Sequence, residues 1–497
     1  FAITPWYEPI IYSYRNAERQ AAQDHTKVYS KWTFGINIAE CTPSAHKVSA
    51  GDNVAFAVGT AYDPLGTGRN DHAIFVGLCD MDNSKNTAKI CYWVQNLVNN
   101  KRSELQKIAD APMWACKKPG YGELEYQEFR HYFNVTAGDY DGDGKMTAVI
   151  TYVGNDDLWG IAGTGIAGEQ GLSRKSFVKS KGSGNAYFDG WNTTLYERDQ
   201  ITKSLVSADI DRDGCDELIV YAGIAEPDKI DGRDKEISGD SFRKAVSKLS
   251  VYKAENGNLK RVDQKSLMTL NREDEKADGS RYYDHIRYGN LAAGDINGDG
   301  WQEIIIAGYF REVREEKKKG FIWDKKTDNE NMGFAVYYGQ NKSITNVQKT
   351  TMSGYTANGT TDLGVKPKPA MTSVAINGRG TPEQVWIAGG LYEVQQNGAL
   401  NLLRDTAREK NSSARWWWYQ DVIAGNFDHN TEGREQVIAL AAERQKGSGS
   451  ARKFDLFTDV FYGEDFGSGT LSVAGKYTVT AEKDEFSKLC HDADLAW

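Results

Sequence analysis

Short runs of apolar residues, many of them β-branched or aromatic, recur along the chain between segments rich in asparagine, aspartate and glycine. Three of these runs are AVSKLSVYKAENGNLKRV at 245–262, MGFAVYYGQNKSITNVQ at 332–348 and LSVAGKYTVTA at 471–481. Their alternation is that of half-buried strands, and their Asn/Gly pairs are typical of hairpin turns. Long helical periodicity is scarce. The pattern therefore predicts an all-β fold.

A second pattern repeats on a longer scale: a strand ending in small residues, a loop with polar residues at every second position, a glycine and an apolar strand. Three copies are well formed: TAGDYDGDGKMTAVITYVG at 136–154, VSADIDRDGCDELIVYAG at 206–223 and AAGDINGDGWQEIIIAGY at 292–309. Degenerate copies lie near 60–72, 375–383 and 426–435. Successive copies begin roughly 50 to 85 residues apart, a period that indicates a solenoid, a propeller or an array.

The length of each repeat favours the propeller. Each period has room for about four short strands, which is the content of one propeller blade. Dividing the 497 residues into periods of about 70 gives about seven blades. The sequence thus predicts a single β-propeller domain over 1–497, with about seven blades of four antiparallel strands.

The polar loops have the chemistry of a cation site. In the third well-formed copy, three polar residues stand at positions 1, 3 and 5, a glycine at position 6 and an acid at position 9: Asp295, Asn297, Asp299, Gly300 and Glu303. The glycine permits a backbone conformation that other residues resist. Clustered hard oxygen ligands suit Ca²⁺, and carboxylates this close repel one another unless a cation lies among them. An EF-hand does not fit, because it needs a glutamate at position 12 and flanking helices.

These loops resemble the FG-GAP, or VCBS, repeat of integrin α-subunit propellers and many bacterial surface proteins. The resemblance covers most of the chain through its repeats, and it implies a β-propeller with one Ca²⁺ ion in each of the three well-formed inter-strand loops. By position it implies these ligands: Asp139, Asp141, Asp143 and the Lys145 carbonyl; Asp209, Asp211, Asp213, the Cys215 carbonyl and Glu217; and Asp295, Asn297, Asp299, the Trp301 carbonyl and Glu303. Thr147 stands where the first loop needs an acid, so that site is expected to be weaker.

The degenerate loops depart from this ligand set. In the 375–383 loop, Ala375 and Arg379 replace acids. We predict that no metal binds there and that the Arg379 guanidinium fills the cation's place, paired with Glu383. The 60–72 loop has few acids and is predicted to be metal-free. In the 426–435 loop an insertion shifts the last acid, but three candidate ligands keep the alternation: Asn426, Asp428 and Asn430.

An aromatic run, ARWWWYQ at 414–420, is the candidate ligand surface. Alternation along a strand would send Trp416 and Trp418 to one face and Trp417 and Tyr419 to the other. Exposed aromatic faces stack on sugar rings or hold a partner's hydrophobic anchor. The alternative is that this run is the first strand of its blade, with its rings packed between blades.

Charge and composition exclude some classes of partner. The formal net charge is -9, and a mildly acidic chain lacks the clustered cations that nucleic acid requires. No run of 18 apolar residues occurs, so no membrane span is predicted. The six cysteines lie far apart without a CxxC pair, which argues against zinc and leaves one or two disulfides open. The chain begins with Phe1, which fits a mature secreted protein or a fragment of a longer chain.

No catalytic motif is evident, because the seven histidines are scattered and no HExxH, GxSxG or Walker sequence occurs. Blades bring distant residues together, so this is modest evidence against an enzyme. The sequence predicts an extracellular, secreted or cell-surface module, stabilised by calcium, that binds or adheres to a protein or glycan through propeller loops. The alternatives are a propeller-fold polysaccharide lyase or hydrolase and a structural subunit of an extracellular filament or matrix, assembled with other domains or copies.

Overall fold

The chain folds entirely into β-strands where its structure is described. A computed structural model describes residues 2–4, 10–13, 30–33, 54–62, 72–82, 87–96, 106–112, 134–142, 147–151, 158–162, 173–178, 186–188, 191–193, 202–227, 229–230, 233–234, 242–255, 258–267, 280–317, 323–350, 369–405, 415–426, 431–445, 451–461, 472–482 and 494–495. Every regular element in these ranges is a strand, so the predicted all-β class is confirmed. The same ranges contain no helix long and apolar enough to cross a membrane.

Most of the described strands form antiparallel sheets, six of four strands and one of five. The first three sheets in chain order are β1 (Ala2–Thr4), β2 (Ile10–Ser13), β3 (Ser30–Thr33) with β33 (Asp494–Leu495); β4 (Val54–Tyr62), β5 (His72–Asp82), β6 (Thr87–Asn96), β7 (Gln106–Pro112); and β8 (Asn134–Gly138), β9 (Thr147–Thr151), β10 (Leu158–Ala162), β11 (Ser173–Val178). Two hairpins follow separately: β12 (Ala186–Phe188) with β13 (Trp191–Thr193), and β16 (Lys229–Ile230) with β17 (Arg233–Asp234).

The remaining four sheets contain the better-described side chains. The fourth is β14 (Thr202–Ala208), β15 (Glu217–Pro227), β18 (Phe242–Glu255), β19 (Asn258–Ser266), and the fifth is β20 (Ser280–Gly294), β21 (Glu303–Lys317), β22 (Trp323–Tyr338), β23 (Ser343–Ile344), β24 (Gln348–Thr350). The sixth is β25 (Met371–Val374), β26 (Gln384–Ile387), β27 (Gly390–Val394), β28 (Leu400–Asp405), and the seventh is β29 (Arg415–Gly425), β30 (Gln436–Gln445), β31 (Ala451–Phe461), β32 (Ser472–Glu482).

All the polar loops found in the sequence occupy one topological position. Each joins the first strand of its sheet to the second: β4 to β5, β8 to β9, β14 to β15, β20 to β21, β25 to β26 and β29 to β30. The repeat therefore has a structural counterpart, because each copy contributes the same turn of a separate antiparallel sheet.

The second strand of the fifth sheet, β21, is apolar on both faces because a sheet covers it on either side. In β21, Ile304 and Ile306 pack with residues of the fourth sheet, whereas Ile305 and Ala307 pack with residues of the sixth. Alternation of polar and apolar residues is lost wherever both faces of a strand are buried. This explains the uninterrupted EIIIAG run, which follows the polar loop directly.

The contact between the sixth and seventh sheets is built around two aromatic rings. Trp386 of β26 and Tyr419 of β29 meet edge to face, with their ring centroids 4.8 Å apart and the planes at 76°. Both side chains are at most 1% exposed. Tyr419 therefore follows the alternative of packing between sheets and does not offer its ring to a ligand.

This packing generates a stability prediction for the pair. Replacing either ring, by Tyr419→Ala or Trp386→Ala, should lower the free energy of unfolding by about 3–5 kcal/mol, because each leaves a large cavity. In a double-mutant cycle followed by urea unfolding, the pair should show about 0.5–1.5 kcal/mol of coupling.

The control for this cycle is Leu402→Ala, in an edge strand, where the side chain is 43% exposed. That change should alter the free energy of unfolding by no more than about 0.5 kcal/mol. If Tyr419→Ala has as small an effect as the control, the tyrosine is not part of the core.

Candidate metal centres

The loop between β14 and β15 folds back over its own first carboxylate. Asp209 Oδ1 and Oδ2 accept hydrogen bonds from the N–H groups of Asp213 and Gly214 at 3.2 and 3.1 Å. Asp213 Oδ1 accepts one from the N–H of Cys215 at 3.0 Å. Gly214 has φ +86°, the left-handed conformation expected for the glycine at position 6. The loop therefore satisfies its own backbone donors and gathers its acids on one side.

The loop between β20 and β21 repeats this geometry. Asp295 Oδ1 and Oδ2 accept hydrogen bonds from the N–H groups of Gly298 and Gly300 at 2.8 and 2.7 Å, and Asp299 Oδ1 accepts one from the N–H of Trp301 at 2.8 Å. Gly300 has φ +82°. Two loops that lie 86 positions apart in the chain thus adopt one conformation.

A buried glutamate begins the strand that follows each loop. Glu217 Oε2 accepts the N–H of Ile210 at 3.0 Å, and Glu303 Oε2 accepts that of Ile296 at 3.1 Å. The two side chains are 1% and 2% exposed. Burial raises the pKa of Glu217 to about 7. Burial, with the nearby charge of Asp299, raises the pKa of Glu303 to about 8. Both carboxylates therefore need a positive charge nearby to be ionised at low cost.

The acids of the 209–217 loop form a set of oxygens that fits a cation. Asp209, Asp211 and Glu217 each place a carboxylate oxygen within 4.8 Å of the other two. The second glutamate oxygen, Oε1, is buried, and it lies 3.2 Å from the Lys253 ammonium. A cluster of carboxylate oxygens such as this one could hold a metal ion.

Lys253, from β18, contacts this set of acids. Its Nζ lies 2.6 Å from Asp211 Oδ2, 2.5 Å from Asp213 Oδ2 and 3.2 Å from Glu217 Oε1. Burial alone would lower the pKa of Lys253, but hydrogen bonds to the two aspartates and the charge of Glu217 raise it above its ordinary value. The hydrogen bond from Lys253 also lowers the pKa of Asp213. Sequence reasoning missed this lysine, because its place opposite the loop depends on the pairing of β15 with β18.

An amide takes the corresponding place in the 295–303 loop. Asn297 Nδ2 donates to Asp299 Oδ2 and to Glu303 Oε1, both at 3.1 Å. The residue paired with Glu303 across β22 is Tyr338, which has no positive charge. The other end of the amide is also occupied, because Asn297 Oδ1 accepts the N–H of Asp299 at 2.8 Å.

Neighbouring loops are joined by reciprocal hydrogen bonds between sheets. The N–H of Asp139 donates to Asp216 Oδ2 at 2.8 Å, and the N–H of Asp216 donates to the Asp139 carbonyl at 2.8 Å. The same exchange joins Ala375 and Glu435, at 2.8 and 3.0 Å. In each pair, the acid immediately before a second strand reaches back to the first residue of the preceding loop. We call this arrangement the inter-sheet clamp.

Glu383 belongs to this clamp, so the predicted pair with Arg379 is wrong. Its N–H donates to the Asp295 carbonyl at 2.9 Å, and its carboxylate accepts from the Asp295 backbone and lies beside Ser373, whose hydroxyl donates to the Ala293 carbonyl. Burial raises its pKa. A Cβ at Gly294 would collide with the Glu383 carboxylate, which explains why a small residue precedes the loop.

The insertions in the two degenerate loops also change which residue begins the second strand. Val374 pairs with Gln384, and Gly425 pairs with Gln436. These neutral amides therefore stand where the well-formed loops have Glu217 and Glu303.

Arg212 links the second well-formed loop to the third. Its guanidinium lies 5.4 Å from the centroid of the Trp301 ring, a cation–π contact. Arg212 has φ +57°, and glycine occupies the same position in three of the other loops, with φ +69° at Gly142, +76° at Gly298 and +97° at Gly378. A non-glycine residue in this conformation is strained, and the contact with the next loop offsets part of that strain.

Several of the other predicted residues lie outside the described part of the chain. Those are Asp143, Lys145, Asp428 and Asn430, together with the side chains of Trp416, Trp417 and Trp418. Of the remainder, Asp141 is exposed, and Asn426 is half-buried and makes an interaction of its own. Among the described residues, the acids of one predicted set, Asp209, Asp211 and Glu217, come close enough together to hold a metal ion.

Comparison with known proteins gives no family for this chain. No protein-family profile matches it, and no curated protein matches it. Among solved structures, a rhamnogalacturonan lyase from Bacillus licheniformis aligns with 83% of this chain and 74% of its own, at 12% identity and a TM-score of 0.26. The alignment with an acylaminoacyl peptidase from Pyrococcus horikoshii covers 78% of this chain and 49% of the peptidase, at 13% identity and a TM-score of 0.24. The alignment with an exo-inulinase from Aspergillus awamori covers 86% of this chain and 90% of the inulinase, at 9% identity and a TM-score of 0.24.

The inter-sheet clamp predicts a cost for losing one of its acids. Glu435→Ala leaves the N–H of buried Ala375 without a partner, and it should lower the free energy of unfolding by about 1–3 kcal/mol. The measurement is urea unfolding in the presence of a chelator, which separates the effect from any metal.

A glutamate in the same loop supplies the control. Glu432 is 62% exposed and pairs only with Arg434 among the described ion pairs, so Glu432→Ala should change stability by no more than about 0.5 kcal/mol. Equal losses for the two variants would mean that the hydrogen bond to Ala375 contributes nothing.

Proposed function

We propose that the chain is a β-propeller of seven blades. The order in which first strands touch supports this: β4 contacts β8, β8 contacts β14, β14 contacts β20, β20 contacts β25, and β25 contacts β29. The last strand, β33, pairs with β1 and contacts both β29 and β4. Blades in a propeller stand around a central channel, and a sheet shared by both chain ends would close the ring.

Two blades of this propeller, the fourth and fifth sheets, bind Ca²⁺ through their first loops. The observation that carries this proposal is the repeated conformation of the 209–217 and 295–303 loops, in which the first carboxylate holds the backbone and a buried glutamate completes a set of oxygens. Ca²⁺ accepts six to eight oxygen ligands, including backbone carbonyls, in flexible geometry. Side chains at positions 1, 3, 5 and 9 with the carbonyl at position 7 supply such a set.

The bound ion stabilises the fold and does not take part in a reaction. Each loop lies where two strands of one sheet separate, so an ion there prevents local opening. A set filled by protein oxygens leaves no open coordination position for a substrate, whereas catalytic metal sites keep one. Calcium a hundredfold above the dissociation constant of a site adds about 2.7 kcal/mol to the free energy of unfolding.

The protein binds another protein or a glycan outside the cell, and this binding depends on calcium. Support comes from the likeness of the loops to FG-GAP or VCBS repeats, which is an argument by analogy with that family. The mildly acidic surface is consistent with partners other than nucleic acid.

Removing calcium should therefore destabilise the protein. A chelator should lower the melting temperature, and Asp299→Ala should reduce both the melting temperature and the size of the chelator's effect, because it removes one predicted ligand. Differential scanning calorimetry with and without calcium makes the measurement. Glu255→Ala, which removes an exposed acid paired with Lys260, should retain the full chelator effect. A melting temperature that is the same in calcium and in chelator would rule out the calcium sites.

Binding is tested on arrays of glycans and extracellular matrix proteins, with calcium and with chelator. We expect a partner to be retained in calcium and released on chelation, and Asp299→Ala to need more calcium than Glu255→Ala for the same retention. Release of cleaved sugar from a polysaccharide panel, with no stable retention, would instead establish a lyase or hydrolase.

A further inference from the structure

The two candidate calcium loops differ in one respect that their shared conformation does not explain. In the 209–217 loop, the Lys253 ammonium lies within 3.2 Å of three carboxylates. The described part of the 295–303 loop has no cation in the corresponding place, where Asn297 donates to its two neighbouring acids instead.

Strand register explains where the lysine comes from. Leu218 of β15 pairs with Tyr252 of β18, and the antiparallel register continued by one residue sets Lys253 opposite Glu217. In the next sheet Glu303 pairs with Tyr338. The same structural position is thus a lysine in one blade and a tyrosine in the other.

The acid count of each loop matches this difference. Four carboxylates occupy the ligand positions of the loop that the lysine contacts, those of Asp209, Asp211, Asp213 and Glu217. The other loop has three carboxylates, because Asn297 stands at the position of Asp211. An additional acid therefore accompanies the lysine, and the net charge of the two sets is the same.

We propose that Lys253 is a built-in cation that holds the 209–217 loop closed without metal and competes with a divalent ion for the same carboxylates. This inference rests on the proposed calcium sites. The 295–303 loop has no such competitor and binds the ion more tightly. Calcium must displace the ammonium before it can reach the buried Glu217 Oε1, which lies 3.2 Å from Lys253 Nζ.

The chemistry of lysine suits this role. An ammonium is a compact point charge with three donors, and it stands at the end of a flexible stem that allows it to leave. The Lys253 side chain is 27% exposed and two of its partners, Asp211 and Asp213, are 44% and 42% exposed, so a path to solvent is open. The ammonium thus fills the set of oxygens while metal is scarce and moves aside when metal is abundant.

The test measures calcium binding to the 209–217 loop with the other loop disabled. Isothermal titration with Ca²⁺ compares Asp299→Ala alone with Asp299→Ala combined with Lys253→Met, which removes the charge and keeps the length of the side chain. We expect the dissociation constant of the double variant to be about tenfold smaller, a difference of about 1.4 kcal/mol, because calcium no longer has to displace the ammonium.

Lys260→Met in the Asp299→Ala background is the matched control. Lys260 pairs with Lys253 across β18 and β19, but its ammonium contacts the exposed Glu255 at 2.8 Å. Its removal should leave the dissociation constant unchanged within about twofold, because it lies outside the set of acids. A second measurement compares melting temperatures: Lys253→Met should lose stability in chelator and recover it in calcium, while Lys260→Met should do neither.

The reciprocal variant, Tyr338→Lys, places an ammonium beside the 295–303 loop and should weaken calcium binding there by about tenfold. Terbium luminescence sensitised by Trp301 reports that loop selectively, since Cys215 stands at the equivalent position of the other.

Two outcomes separate this inference from the proposed function. If the wild-type protein responds to chelator but Lys253→Met leaves the calcium affinity unchanged, Lys253 is an ordinary ion pair and the inference is wrong. If neither the wild type nor any variant binds calcium, the proposed calcium function is wrong and the inference falls with it.

Discussion

Burial of each sheet on both faces is the constraint from which the other features follow. The first apolar residues of β15 and β21 have no solvent face, since those from Leu218 to Tyr221 and from Ile304 to Ala307 are fully buried. Polar groups are therefore concentrated at the strand ends. A loop that gathers acids there must satisfy its own backbone donors, and Asp209 and Asp295 do this with both of their carboxylate oxygens.

Stacked sheets also bring their loops together, and this determines what the acids do. An acid at the first residue of the second strand points into its own loop, as Glu217 and Glu303 do through the N–H groups of Ile210 and Ile296. An acid one residue earlier reaches the preceding loop instead, as Glu435 does at Ala375. A shift of one position along the chain thus changes a candidate ligand into a contact between sheets.

The sequence predicted those features that depend on local pattern. The strands, the equivalent loops, the left-handed glycine at position 6 and the acid at position 9 all follow from spacing within about twenty residues, and the described structure has each of them in the second and third well-formed loops. The sequence could not decide whether Tyr419 is buried. Alternation assigns residues to the two faces of a strand, but it does not show which face is covered.

The features that sequence reasoning missed all depend on contacts between distant segments. The sequence predicts that Glu383 pairs with Arg379 of its own loop, but its partners are Asp295 and Ser373. Glu383 reaches Asp295 only because the fifth and sixth sheets stack. Lys253 lies 36 positions after Glu217 in the chain, so only the pairing of β15 with β18 reveals their contact. The spacing of residues along the chain does not show which strands pair or in which register.

A tethered ammonium and a free ion stabilise an acidic loop in physically different ways. The lysine is always present, so its stabilisation does not vary with the concentration of any solute, but its single charge leaves a set of four carboxylates incompletely neutralised. A free divalent ion neutralises more charge, and its contribution grows with concentration and disappears when the ion is removed. Under the scheme proposed above, the 209–217 loop stays closed when calcium is absent, because the lysine then takes the place of the ion. The 295–303 loop of the neighbouring sheet would then depend more strongly on calcium than the 209–217 loop.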